Sequence, residues 1–285
     1  MELYWKKPNE PKPQVHQNNG VTWLSYPELE QWPGIKNAFS TREGGVSEGI
    51  WSTMNLSYTR GDDPAHVTEN YRRFAAAAGF QTEHIVTSDQ THTTNVRHVT
   101  EADRGSGITR PRTFHDIDGL ITDTPGVVLA TYYADCVPLY FVDPVHRAIG
   151  LSHSGWRGTV NNMAAATIEA MKKTFHTDPA DLQTAIGPSI CQDCYEVSED
   201  VVRQFAASFP PETHKTIYYK KPNNKYQLNL WEANRLHLLH AGVPASHIHL
   251  PNLCTCCNPK TLFSHRATSG KRGNLAAFLW IDPQI

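Results

Sequence analysis

The run Val127-Val128-Leu129-Ala130-Thr131-Tyr132-Tyr133 constrains this chain more than any other stretch. A strand with one face in water alternates apolar and polar residues, and this one does not, so it predicts a strand covered on both sides. Ala148-Ile149-Gly150-Leu151-Ser152-His153 repeats the pattern more briefly, Ile85-Val86-Thr87 reads as a short strand, and residues 275–281 form a closing strand.

Helical patterns fill the intervals. Residues 64–79 read as a helix, with Asp63 as N-cap, Pro64 in the first turn and Gly79 as the stop. Val160, Met163, Ala164, Ile168, Met171 and Phe175 recur at mostly three- or four-residue spacing, which predicts a helix over 160–175 capped by Thr159. Two more helices are expected at 198–209 and 229–241, the latter with Asn229 and Glu232 at capping-box spacing and Gly242 at the exit. Strands and helices mix without strict alternation, no repeat is present, and no linker divides the 285 residues. The expected fold is therefore α/β, one domain with mixed β-sheets. Residues 1–20, rich in proline and amides, read as a loosely ordered or edge-packed segment, which leaves 21–285 as the catalytic domain.

Composition excludes several functions. Lys plus Arg is 26 and Asp plus Glu is 28, a net charge of −2, so there is no basic footprint for a nucleic acid. No apolar run approaches the roughly 20 residues of a bilayer helix, and the start lacks the pattern of a secretory signal, so no membrane partner and a cytoplasmic address are expected. Six cysteines are too sparse for a disulfide scaffold, whereas 15 histidines suit metal ligation or proton transfer.

Three segments share one design, an apolar strand followed at once by polar, ligating residues. They end at His92, Cys136 and His153. If the strands lie side by side these three converge, and two imidazoles with one thiolate form a zinc set with an open fourth position, the mark of a catalytic site. Singly, each reads first as a hydrogen-bonded interior histidine or a buried thiol. Ser40-Thr41-Arg42-Glu43-Gly44-Gly45 and Gly155-Trp156-Arg157-Gly158 offer glycines and guanidinium forks for an oxyanion, or else are ordinary turns. No P-loop or Gly-x-Gly-x-x-Gly stretch is present. Cys191-x-x-Cys194 and Cys254-x-x-Cys257 have the look of a four-cysteine zinc site. However, the gap of about 59 residues far exceeds the 15–20 of a compact zinc ribbon, and Cys256 adds a fifth thiol, so buried or redox-labile thiols come first.

Seven motifs then occur in one order between Phe39 and Trp280. They are Ser40-Thr-Arg-Glu-Gly-Gly-Val-Ser with Asn55-Leu56; Asp89-Gln-Thr-His92; Asp118-Gly-Leu-Ile-Thr122; and Ala134-Asp-Cys-Val-Pro138. The order continues through His153-Ser-Gly-Trp-Arg-Gly-Thr159, Ala185-Ile-Gly-Pro-Ser-Ile-Cys191 with Tyr195-Glu-Val197, and Cys254-Thr255 with Phe263-Ser-His-Arg266. The chain thereby resembles the family known as laccase-like polyphenol oxidases, peptidoglycan editing factors and zinc-dependent purine nucleoside phosphorylases. The resemblance implies a helix-sheet-sheet-helix layered sandwich and zinc held by His92, Cys136 and His153. It also implies phosphorolysis of adenosine, inosine, guanosine and methylthioadenosine, together with deamination of adenosine. Nucleoside and phosphate would be the partners, contacted by Arg42, Asn55 and Arg157. His265 stands where an aromatic residue is common in the family, and Cys256-Cys257 departs from its pattern.

Phosphorolysis needs cationic groups that hold phosphate against C1′ while charge grows on the departing purine, a role that Arg42 and Arg157 fit. Asp135, beside the cysteine ligand, is the candidate for orienting a ligand or moving a proton, or else for capping a turn. Two other chemistries compete. Cys136 and His153 could be nucleophile and base of an amidase acting on peptidoglycan precursors. A copper polyphenol oxidase ranks third, because only four methionines and no paired histidine motifs accompany the two histidines and the cysteine.

Overall fold

Asp63 starts the first helix as its chemistry dictates: its carboxylate accepts from the Ala65 N–H, Pro64 follows, and Gly79 ends the helix at φ +89. In the computed structural model, which describes residues 2–283, this helix is α1 (Pro64–Ala78). The strands are β1 (Gln14–Asn18), β2 (Val21–Ser25), β3 (Ile35–Ser40), β4 (Ile85–Thr87), β5 (Val96–His98), β6 (Gly119–Thr122), β7 (Val128–Tyr133) and β8 (Val137–Asp143). There follow β9 (Ala148–Ser154), β10 (Gln183–Ile186), β11 (Glu196–Val197), β12 (Tyr218–Lys220), β13 (Tyr226–Leu228), β14 (Ile248–His249) and β15 (Leu275–Ile281). The other helices are α2 (Trp156–Val160), α3 (Met163–Phe175), α4 (Glu199–Ser208), α5 (His214–Ile217) and α6 (Leu230–His240).

Two six-stranded mixed sheets run β1-β2-β3-β15-β7-β4 and β14-β10-β8-β9-β6-β5, beside a small β11-β13-β12 sheet. Side-chain alternation explains how they stack. Along β15, Leu275, Ala277, Leu279 and Ile281 enter the core between the two large sheets, while Ala276, Phe278 and Trp280 pack with Val67, Tyr71 and Phe74 of α1. Strand β7 divides likewise, with Leu129 and Tyr133 inward and Val128 and Ala130 toward α1, which is why its sequence shows no polar face. In β8, Tyr140 and Val142 face the shared core, and Leu139 and Phe141 join Ile168, Met171, Phe205 and Leu238 of α3, α4 and α6. The result is the expected helix-sheet-sheet-helix sandwich.

The helix expected over 160–175 is two helices. Asn162 adopts a left-handed conformation (φ 60) and its side chain caps α3 by accepting from the Ala165 N–H. The hydroxyl of Thr159, the expected cap, instead bonds the Gly155 carbonyl within α2. Asn229 does cap α6, accepting from the Glu232 N–H, but the Glu232 carboxylate turns to Arg235 rather than completing a capping box. Within the first twenty residues β1 is an exposed edge strand on β2, and Trp5 bridges to Leu253. Among the described residues no helix is long and apolar enough to cross a membrane.

Candidate active site

Strand pairing assembles the site. The β8–β9 register sets Val137 opposite Ser154, so the next step beyond the ladder brings Cys136, in the turn after β7, beside Gly155. The β6–β9 register sets Gly119 opposite Ser152, so Asp118 lies beside His153. His92 arrives on the loop after β4, in a left-handed conformation (φ 67). The ligating atoms of His92, Cys136 and His153 all lie within 4.8 Å of one another. His153 is buried, Cys136 half-buried and His92 exposed, so the cluster opens on one side.

Asp118 holds two of these pieces together. One carboxylate oxygen accepts a hydrogen bond from His153 Nδ1 at 2.7 Å. Its oxygens also accept from the N–H groups of Thr91, His92 and Thr93 at 3.0, 3.2 and 3.0 Å. The imidazole is thereby oriented with Nε2 toward Cys136 and His92. Burial pushes the Asp118 carboxyl up, but these hydrogen bonds win and hold it below the usual range. Burial likewise pushes the Cys136 thiol up, and the neighbouring imidazoles, His153 foremost, outweigh it and bring the thiol down to about 6. On His153 burial works to lower the value, and the Cys136 thiolate with Asp118 raises it to about 9. A Cβ built on Gly155 would lie 3.0 Å from His92 Cδ2 and 3.2 Å from Cys136 Sγ, so the glycine leaves the space that the cluster needs.

Two cavities meet at this cluster. One, of about 250 Å³, is lined by Tyr58, Gln90, Arg112, Tyr132 and Asn274 among others, and the second, of about 430 Å³, by Asp135, Trp156, Tyr195, His265 and Arg266. Arg60, His92, Ala134, Cys136 and Arg272 line both. Arg272 is almost fully buried, its Nε has no hydrogen-bond partner, and burial, followed by the charge of Arg60, lowers its guanidinium to about 10. Among the described residues neither Arg60 nor Arg272 makes a salt bridge.

The remaining residues singled out in the sequence are placed differently. Arg42 lines neither cavity; it donates to the Ser52 and Pro259 carbonyls at 2.7 and 2.8 Å and lies over the Phe263 ring. Asn55 is sealed in the interior, its amide spent on the Ser57 carbonyl and Asp62 and its oxygen on the Ser57 and Asn274 N–H groups. Arg157 stands exposed on α2, stacked 4.2 Å over the Trp156 ring at the edge of the larger cavity. Asp135, at φ 91, accepts from Thr255 Oγ1 at 2.6 Å and from the Arg266 N–H at 2.7 Å. Sequence reasoning assigned no role to Asp118, Arg60 or Arg272. Both arginines precede a glycine, as Arg157 does, a signal that could have marked them. Among the described residues one other metal-capable cluster exists, the thiols of Cys191, Cys194, Cys254 and Cys257, and no histidine-rich multicopper set is present.

The family model described as multi-copper polyphenol oxidoreductase laccase matches residues 36–282. Purine nucleoside phosphorylase YlmD of Geobacillus stearothermophilus is 38% identical, over 94% of this chain and 97% of its own. Adenosine deaminase RL5, from an unknown prokaryotic organism, is 35% identical, over 80% and 87%. The crystal structure of YlmD from Geobacillus stearothermophilus superposes with a TM-score of 0.86 at 37% identity, covering 94% of this chain and 98% of that one. The chain therefore belongs to the laccase-like polyphenol oxidoreductase family and is an enzyme of that family.

Proposed function

We propose that this enzyme is a zinc-dependent purine nucleoside phosphorylase that also deaminates adenosine, acting on adenosine, inosine, guanosine and methylthioadenosine. The observation that carries the reading is the convergence of His92, Cys136 and His153 where two cavities meet beside the guanidinium groups of Arg60 and Arg272, neither of which has a carboxylate partner among the described residues. The donor set fits a metal: two nitrogens and a sulfur within 4.8 Å, one imidazole held by Asp118, and a glycine that leaves room for the ligands. Zinc bound by these three residues would supply a Lewis acid able to activate water for attack at purine C6.

The chain's own groups do the rest. Arg60 and Arg272, which line both cavities, are better placed for phosphate than Arg42, which lines neither. These two cations, without carboxylate partners, attract the dianion and hold it against the ribose, which supplies the positional part of catalysis. Tyr195, whose phenol burial keeps protonated, lines the larger cavity as a donor for the base, and Arg157 with Trp156 borders the nucleoside. Both Asp135 oxygens are engaged, so it acts as a positioning residue that fixes the turn carrying Cys136. The reading includes residues 21–285 as the catalytic domain and a cytoplasmic address. A Cys136–His153 hydrolase is the second reading, supported by the lowered thiol.

Product chromatography tests this. Zinc-loaded protein is mixed with adenosine, with and without phosphate. Adenine and ribose-1-phosphate are expected only with phosphate, and inosine in both tubes. Untouched adenosine in the presence of bound zinc overturns the reading.

A further inference from the structure

We propose that Cys191, Cys194, Cys254 and Cys257 form a second, closed metal site that takes zinc and fastens the 189–195 loop to the 253–257 loop. Their four Sγ atoms lie within 4.8 Å of one another. Cys194 and Cys257 are 3.5 Å apart, and Cys191 and Cys257 4.0 Å. Four sulfurs at about 2.3 Å from a tetrahedral zinc are about 3.8 Å from each other, between these two values. Disulfide sulfurs would be about 2.05 Å apart, and all six cysteines are free thiols.

The long gap between the two Cys-x-x-Cys pairs is closed by the fold. A parallel bridge joins Ser189 to Cys254, and the Thr255 N–H donates to the Ser189 carbonyl at 3.2 Å. The Cys191 N–H donates to Cys254 Sγ at 3.2 Å, an amide–sulfur bond that favours a thiolate acceptor. Zinc with four thiolates carries a net charge of −2. Lys6, paired with Asp193 at 2.7 Å, places an ammonium charge close enough to act on Cys191 and Cys257. Four protein ligands leave no open position, so this site is structural, unlike the three-ligand cluster. It would anchor Tyr195, in the wall of the larger cavity, and Thr255, which holds Asp135. The proposal does not depend on the substrate reading above.

The test is metal stoichiometry by mass spectrometry on protein purified under reducing conditions. Two zinc ions per chain are expected in the wild type, one in Cys136→Ala and one in Cys257→Ser. X-ray absorption on the Cys136→Ala protein is expected to show four sulfurs at about 2.3 Å and no nitrogen. That measurement decides the matter even if Cys257→Ser does not fold. A metal-free Cys136→Ala protein, a zinc with nitrogen or oxygen ligands in it, or these four thiols found joined as disulfides would each overturn the proposal.

Discussion

Gly155 is the residue on which the His92–Cys136–His153 cluster is most finely poised. Its φ of −68 suits any residue, so substitution acts through space alone. Gly155→Ala places a methyl 3.0 Å from His92 Cδ2 and 3.2 Å from Cys136 Sγ, and the two side chains must move apart by tenths of an ångström. A fall of about tenfold in zinc affinity is expected, read by competition with a chromophoric chelator; unchanged affinity would show that the cluster does not bind the metal as drawn. Asp118→Asn acts from behind the cluster. Its partners are all donors, so an amide NH₂ facing them leaves buried groups unpaired, and zinc affinity is expected to fall about 10- to 100-fold. Arg272→Lys keeps the charge and loses the planar fork. The KM for phosphate is expected to rise about tenfold, with the phosphate-independent conversion of adenosine to inosine unchanged; an equal loss in both reactions would remove Arg272 from the phosphate subsite.

At the scale of elements, the α2–α3 junction shows how a cap overrides periodicity. Asn162 combines a left-handed backbone with a side-chain cap on Ala165, and alanine supplies neither. Asn162→Ala is expected to cost about 1–2 kcal/mol and Asn162→Gly a few tenths, measured as shifts in urea midpoint at constant slope. Equal losses for the two variants would mean that the cap is not what separates the helices. The apolar positions on both sides of this junction follow one helical rhythm, which conceals the break. By contrast, the two-sided burial of β7 and β15 is plain in their sequences because both faces meet apolar layers. Strand β8 is harder to read, since Pro138 sits inside the ladder opposite His153. The same limit applies to the site. His92, Cys136 and His153 follow apolar strands and are legible as strand ends, whereas the service of Asp118 to His153 depends on the β6–β9 register, a pairing of segments about thirty residues apart that no local pattern encodes. Arg42 and Asn55 stood out in their motifs, and which groups they bond, the Ser52 and Pro259 carbonyls and the Ser57 carbonyl with Asp62, is set by the fold and not by the motif.

For the whole molecule, the layered sandwich makes global stability depend on polar groups sealed between elements, and His237 on α6 is a clear case. Its Nε2 donates to the Thr159 carbonyl at 2.8 Å, its ring lies 4.3 Å from Phe209, and α2, the helix that it supports, begins next to Gly155. Burial, with a smaller contribution from the charge of His240, lowers its imidazole from 6.5 to about 4, while the Thr159 bond works the other way. The folded state thus binds this proton less readily than the unfolded chain does. The stabilisation is fully present above pH 6.5 and declines as the pH falls toward 4, by about 2 kcal/mol at pH 5. In His237→Gln the amide can still donate to Thr159, but there is no proton to gain. The variant is therefore expected to lose about 2 kcal/mol less than the wild type between pH 7 and pH 5, as followed by urea unfolding. Parallel losses in the two proteins would place the acid sensitivity elsewhere in the sandwich.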